Sequence, residues 1–273
     1  MGIWYGREVG RRLWGAVAVL VAGAGVVVLL TPGGSGSPLR VADGWSASLY
    51  GSVVGAVAGW PSWSAPVMEV ATDAALITLV VLYTLVSVVT LLRRDVVGLA
   101  GLSLVVAGST AAYGASEVLK EAVAEERPCR VVAAEIAAHC PEAGDWSFPS
   151  NHSVIAMAIA TGLAMLRPRW AWLVLPLGVV GVVLRVLVGV HYPHDVVAGA
   201  VWGAVVVAAV LLLFAGPVGH VFTFVLTPWS FFAPRAGRHA AGAVVRPRAS
   251  EVPRGAQDTV VDLPVFRDDV PRR

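Results

Sequence analysis

Residues 185–216 read "RVLVGVHYPHDVVAGAVWGAVVVAAVLLLFAG". From Val196 to Gly216 the stretch carries no charge, and it is long enough to cross a bilayer core, which takes about 20 apolar residues. Before it, between Arg185 and Asp195, an arginine, two histidines and an aspartate stand together in otherwise greasy sequence. Ionisable groups are costly at the edge of a membrane span, so their presence there points to function.

The same composition extends along the chain. Of 273 residues 57% are hydrophobic and only 14% charged, against about 25% charged in a soluble domain. Mean hydropathy is +0.74. Five further apolar stretches accompany Val196–Gly216: Leu13–Leu30, Thr72–Leu92, Val96–Ser116, Ser153–Leu166 and Trp170–Val188. The expected fold is all-α, a polytopic membrane bundle of about six transmembrane helices over residues 1–234. The first stretch lacks a convincing cleavage site and reads as a retained span. Residues 235–273 are rich in Arg, Pro and Asp, and read as a disordered cytoplasmic tail. A net charge of +2 gives no sign of nucleic-acid binding.

Basic residues in short loops set orientation. Arg7, Arg11 and Arg12, then Arg93 and Arg94, then Arg167 and Arg169, and finally Arg235, Arg238, Arg246 and Arg248 all fall on one side of a six-span layout. That side is expected to be cytoplasmic, with both termini. The outer segment 32–71 contains Trp45, Trp60 and Trp63 and reads as short interfacial helices anchored by tryptophan.

Three polar clusters fall on the outer side. "KEAVAEERP" runs from Lys120, the only lysine of the chain, to Pro128. Lys120 and Arg127 are seven apart, so a continuing helix would put both on one face. "FPSNHS", Phe148–Ser153, opens the fourth span. A helix N-terminus suits an anion, Ser150 can cap or bind, Asn151 tolerates left-handed backbone, and His152 titrates near neutral pH. In the third cluster, Pro193 suits a first helical turn, from which Asp195 could hydrogen-bond His191 and aim its other nitrogen outward. His194 reads as a bystander. Taken singly, each cluster also fits a blander role: a charged helix end, a Ser/Asn cap, or a snorkelling arginine. Together, Lys120, Arg127 and Arg185 around a helix N-terminus describe an anion hole suited to phosphate. No metal-ligand spacing is present.

The three clusters resemble the motifs of the type 2 phosphatidic acid phosphatase (PAP2) superfamily: K-x6-R-P, P-S-G-H and S-R-x5-H-x3-D. The first is matched in full; the second has Asn151 for Gly, and the third has Leu184 for Ser. The resemblance implies a lipid phosphatase without a cofactor, acting on a lipid phosphate or pyrophosphate in the bilayer. Undecaprenyl pyrophosphate is the first candidate. It further implies a bacterial cell-membrane location with the site facing the extracytoplasmic side. His191 would become a phosphohistidine, Asp195 would orient it, and His152 would protonate the leaving oxygen. Lys120, Arg127, Arg185, Ser150 and Asn151 would hold the phosphate. Transfer to another acceptor, a vanadate-type haloperoxidase, and a transporter or binding protein are the alternatives. Cys129 and Cys140 both lie on the outer side, where a disulfide can form.

Overall fold

The computed structural model describes residues 2–34, 37–134 and 136–229, with side chains from residue 9 onward. The expected tail at 235–273 lies outside the described residues. Eight α-helices follow one another among these: α1 (Gly2–Leu30), α2 (Trp45–Ala58), α3 (Ser64–Leu92), α4 (Val96–Val123), α5 (Pro128–Val131), α6 (Asn151–Leu166), α7 (Ala171–Leu187) and α8 (Pro193–Leu226). A 3-10 turn at Pro168–Trp170 precedes α7.

Among the described residues, five segments are long and apolar enough to cross a membrane: Val9–Leu30, Ser64–Leu92, Val96–Val123, Pro168–Leu187 and Pro193–Leu226. The sixth expected span, α6, has only 16 residues, about 24 Å of helix. Its surroundings account for this. α6 packs on α3, α4, α7 and α8, so most of its length meets other helices, and only Met165 stands exposed. Ala156, Ala158, Ala160 and Gly162 on α6 are buried, and small residues let membrane helices approach where the hydrophobic effect no longer drives them together. The approach is closest at Gly203 of α8, where a Cβ would collide with the carbonyl of Val154. Around this centre, Val28, Leu29, Val80, Val81, Val179, Val180 and Phe214 point outward, as an acyl-chain-facing belt requires.

The helices begin and end for local reasons. Asp95 caps α4, accepting from the Gly98 amide at 2.8 Å, the usual N-cap arrangement. Asp95 also pairs with Arg167 at 3.3 Å, which ties the α3–α4 turn to the end of α6. At the opposite end of the bundle α4 stops at Val123, because Ala124 turns left-handed (φ 48). Lys120 and Arg127 therefore do not share a helix face. Arg127 sits in extended backbone as the residue before α5, whose first residue is Pro128, as the constraint before proline demands.

The segment before α2 crosses over this end. Leu39 donates its amide to Ala124 O (2.9 Å) and accepts from Glu126 N (2.8 Å). α2 is the short helix expected in 32–71. Trp45, Trp60 and Trp63 stay exposed, while Tyr50 and Val54 are buried. Tyr50 Oη donates to the carbonyl of Gly189 at 2.8 Å, and Gly189 has the positive φ (85) that the tight α7–α8 turn needs. α3 begins at Ser64, eight residues before the expected Thr72.

Candidate active site

The C-terminal ends of α4 and α7 and the N-terminal ends of α6 and α8 meet at one end of the bundle. There a cavity of about 380 Å³ is lined by Lys120, Arg127, Arg185, Asn151, His152 and His191, with Glu117, Glu121, Tyr113, Asp145 and Trp146 around them. Six of the expected residues thus share one cavity although they span residues 120–191.

His191 lies in the α7–α8 turn and is 2% exposed. Arg127 Nη1 is 3.1 Å from its Nε2. A guanidinium can only donate, so Nε2 is the acceptor and the ring proton belongs on Nδ1; this tautomer is assigned from the hydrogen-bond partners. Nδ1 is 3.3 Å from Ser147 Oγ, and Ser147 Oγ donates to Asp195 Oδ2 at 2.5 Å. The direct Nδ1–Oδ2 separation is 3.5 Å. The expected direct bond between Asp195 and His191 is therefore a relay, in which Ser147 receives from the imidazole and donates to the carboxylate. Asp195 Oδ2 also accepts the Tyr192 amide at 2.8 Å, which fixes Asp195 in the first turn of α8. Burial, then the charges of Arg127, Arg185 and Lys120, hold His191 well below the usual imidazole range. It is neutral near pH 7, with its Nε2 lone pair facing the cations.

Arg127 is 4% exposed and engages four of its five N–H donors, the contact with His191 included. It donates from Nε to Asp145 O (2.8 Å), from Nη1 to Val190 O (3.0 Å), and from Nη2 to Asp145 Oδ2 (2.9 Å). Lys120 Nζ reaches the other oxygen of the same carboxylate, Asp145 Oδ1, at 3.2 Å. Burial would raise the Asp145 carboxyl, but Arg127 and Lys120 outweigh it and hold the group below the usual carboxylate range. Arg185 lines the same cavity, and its buried Nε has no hydrogen-bond partner among the described residues.

His152 also lines the cavity, with Nε2 3.0 Å from the carbonyl of Thr72. That contact makes Nε2 a donor and leaves Nδ1 as its other proton-carrying position. Asn151 is helical, as the first residue of α6, so its tolerance of left-handed backbone is not used. Its side chain accepts from Ser116 Oγ (2.6 Å) and donates to Glu117, tying α6 to α4. Ser150 does not line the cavity. It is fully buried as the residue before α6, its amide donates to Asp195 O at 3.1 Å, and its Oγ accepts from Ser153 at 3.2 Å.

Behind His191 lies a cluster that spacing did not reveal. His194 Nε2 is 3.1 Å from both Glu125 Oε1 and Asp195 Oδ1, and its Nδ1 is 2.7 Å from Ser46 Oγ. Glu125, His194 and Asp195 are buried, with ligand atoms within 4.8 Å of one another, a spacing that a cation could use. Burial, however, pushes Glu125 up to about 8, so at neutral pH it is a neutral acid and an O–H donor. The trio is better described as groups sharing protons than as an anionic metal cage. His194, expected to be a bystander, is the centre of this cluster. The sequence signal for it was its place inside "HYPHD"; Glu125 lies inside the first motif, where it reads only as a charge balancing the cations, and Ser147 stands unmarked just before the second.

Cys129 and Cys140 are joined in a disulfide. It closes the loop that carries the chain from Arg127 toward Asp145 and Ser147.

The PAP2 superfamily model matches residues 98–217. The chain is 38% identical over 92 residues to the undecaprenyl-diphosphatase of Sulfolobus acidocaldarius, covering 32% of this chain and 43% of that protein. It is 40% identical over 95 residues to the decaprenylphosphoryl-5-phosphoribose phosphatase of Mycolicibacterium smegmatis, covering 34% of this chain and 49% of that one. The chain thus matches about half the length, or less, of these relatives. Its fold is similar to the crystal structure of a transmembrane PAP2-type phosphatidylglycerolphosphate phosphatase from Bacillus subtilis. That match has a TM-score of 0.50 and 19% identity, over 77% of this chain and 96% of the other.

Proposed function

We propose that this chain, a PAP2 superfamily member through residues 98–217, is a membrane phosphatase that removes a phosphoryl group from a lipid phosphate or lipid diphosphate. The observation that carries the reading is His191: its Nε2 lone pair faces fixed cations, while Nδ1 is tied through Ser147 to Asp195. A neutral imidazole so held is an activated nucleophile, and Lys120, Arg127 and Arg185 supply the charge that a transferring phosphoryl group needs.

In this reaction His191 Nε2 attacks phosphorus and the lipid oxygen leaves with a proton from His152. The proton that His191 keeps on Nδ1 is stabilised through Ser147 by Asp195. Water then attacks the phosphohistidine, His152 takes its proton, and inorganic phosphate departs. Asn151 braces the α6 N-terminus against α4, and Ser150 acts from behind by fixing α6 to Asp195. The cavity stands at the end of the bundle away from the arginine-rich turns at Arg93 and Arg167, which supports an extracytoplasmic site with the N-terminus inside. The site's place at the end of spanning helices favours a lipid substrate. Undecaprenyl pyrophosphate comes first, on the likeness to the undecaprenyl-diphosphatase.

The test is phosphate release by the purified protein in detergent with EDTA present, from undecaprenyl pyrophosphate, phosphatidic acid and phosphatidylglycerol phosphate, beside His191→Ala. Release that survives chelation and disappears in the variant is the expected result. Folded protein that releases phosphate from none of the three, or a His191→Ala variant that still turns over, overturns the reading.

A further inference from the structure

Two of the three cations in the cavity are already engaged by an anion of the protein itself. One oxygen of Asp145 takes Lys120 Nζ at 3.2 Å and the other takes Arg127 Nη2 at 2.9 Å. A carboxylate straddling a lysine and an arginine occupies them as two oxygens of a phosphoryl group would. For Arg185, the third cation, the buried Nε has no hydrogen-bond partner among the described residues.

Asp145 is held in a way that lets this contact open. Its backbone carbonyl is fixed by Arg127 Nε at 2.8 Å, and two residues on, the Ser147 amide donates to Glu125 O at 2.8 Å. Its side chain is 49% exposed. Rotation about the side-chain bonds alone moves the carboxylate from the cations to solvent, with the main chain unmoved.

We propose that Asp145 is a built-in competing anion: it fills the phosphate cradle in place of a phosphoryl group and must be displaced before any phosphate ligand binds. This rests on the cradle being the phosphatase site proposed above. A monoanionic phosphodiester would replace one single charge by another, while competing with a partner tethered at high effective concentration. A terminal phosphate, close to doubly charged, gains more from three cations than Asp145 does, and it repels the released carboxylate outward.

The test uses the full-length protein in a neutral detergent, titrated with orthophosphate and with dimethyl phosphate, a phosphodiester monoanion. Wild type, Asp145→Asn and Asp145→Ser are compared by calorimetry, with helical content checked by circular dichroism. Wild type is expected to bind orthophosphate and to reject dimethyl phosphate. In both variants orthophosphate should bind about tenfold more tightly or better, and dimethyl phosphate should become measurable, because removing an internal competitor strengthens both ligands. Unchanged or weaker orthophosphate binding in both variants, or no binding by any of the three proteins, overturns the proposal. Lipid turnover by the same wild-type preparation separates the two claims. Turnover with unchanged orthophosphate affinity in the variants removes Asp145 alone, whereas absence of turnover on every lipid removes the phosphatase reading.

Discussion

Ser147→Ala removes one hydroxyl from the path between Asp195 and His191. In the intact site that hydroxyl donates to Asp195 Oδ2 at 2.5 Å and lies 3.3 Å from His191 Nδ1, while the two end groups are 3.5 Å apart. A hydrogen bond to an ionised partner contributes about 1.5–3 kcal/mol. If the contribution is expressed when His191 becomes positively charged in the transition state, kcat falls about 10- to 150-fold at 1.36 kcal/mol per decade. KM should stay within about twofold, because Ser147 is fully buried and does not line the cavity, so it does not touch substrate in the ground state. The assay is steady-state phosphate release in mixed micelles for wild type, Ser147→Ala, Asp195→Ala and the double variant. Members of one chain of hydrogen bonds are not additive, so the double variant should be little worse than Asp195→Ala. A Ser147→Ala enzyme with wild-type kcat, or one that loses only KM, would refute the relay.

Three other outcomes follow from the buried groups and the loop. Glu125 is raised to about 8 by burial, so its contribution to stability is present in full below the unfolded value of about 4.3 and is lost as pH rises through 8. Glu125→Gln, which mimics the protonated acid, should therefore flatten the fall in Tm between pH 6 and 9; a fall as steep as wild type counts against the assignment. His191 is held well below its ordinary value, so the acid limb of kcat/KM that it sets should lie below about 6.5. Lowering pH below that value should also cost stability, as the unfolded chain takes up a proton that native His191 refuses; an acid limb from His191 at or above 6.5 contradicts this. Replacing Cys129 and Cys140 by serine opens a link across 11 residues and should lower stability by up to about 3 kcal/mol on the chain-entropy model, read as a lower Tm in detergent. An unchanged Tm would mean that the loop is held by its hydrogen bonds alone.

Hydrophobic runs made the helical architecture legible, because a bilayer imposes length and apolarity on each segment. Their boundaries were less visible. α3 starts at Ser64 and α8 runs from Pro193 to Leu226, beyond the apolar stretches that marked them. The shortness of α6 goes with neighbours along most of its length. In the site, the motif spacing identified the groups that line the cavity but not how they are held. Lys120 and Arg127 converge through a left-handed turn at Ala124, a residue type that gives no sign of such a turn. Ser147, Glu125 and His194 act across 44 to 69 positions of sequence, pairings that only the fold creates. Asp145 was hidden for the same reason: its partners lie 25 and 18 residues upstream.

The most direct measurement is to trap the reaction on the protein. Wild type and His191→Ala are mixed with a lipid diphosphate labelled in its terminal phosphate, quenched in alkali during turnover, and digested for peptide mapping. The expected result is an alkali-stable, acid-labile label on the peptide containing His191, absent from the variant. Turnover with no label at any time, or a label on another side chain, would contradict a mechanism that passes through His191.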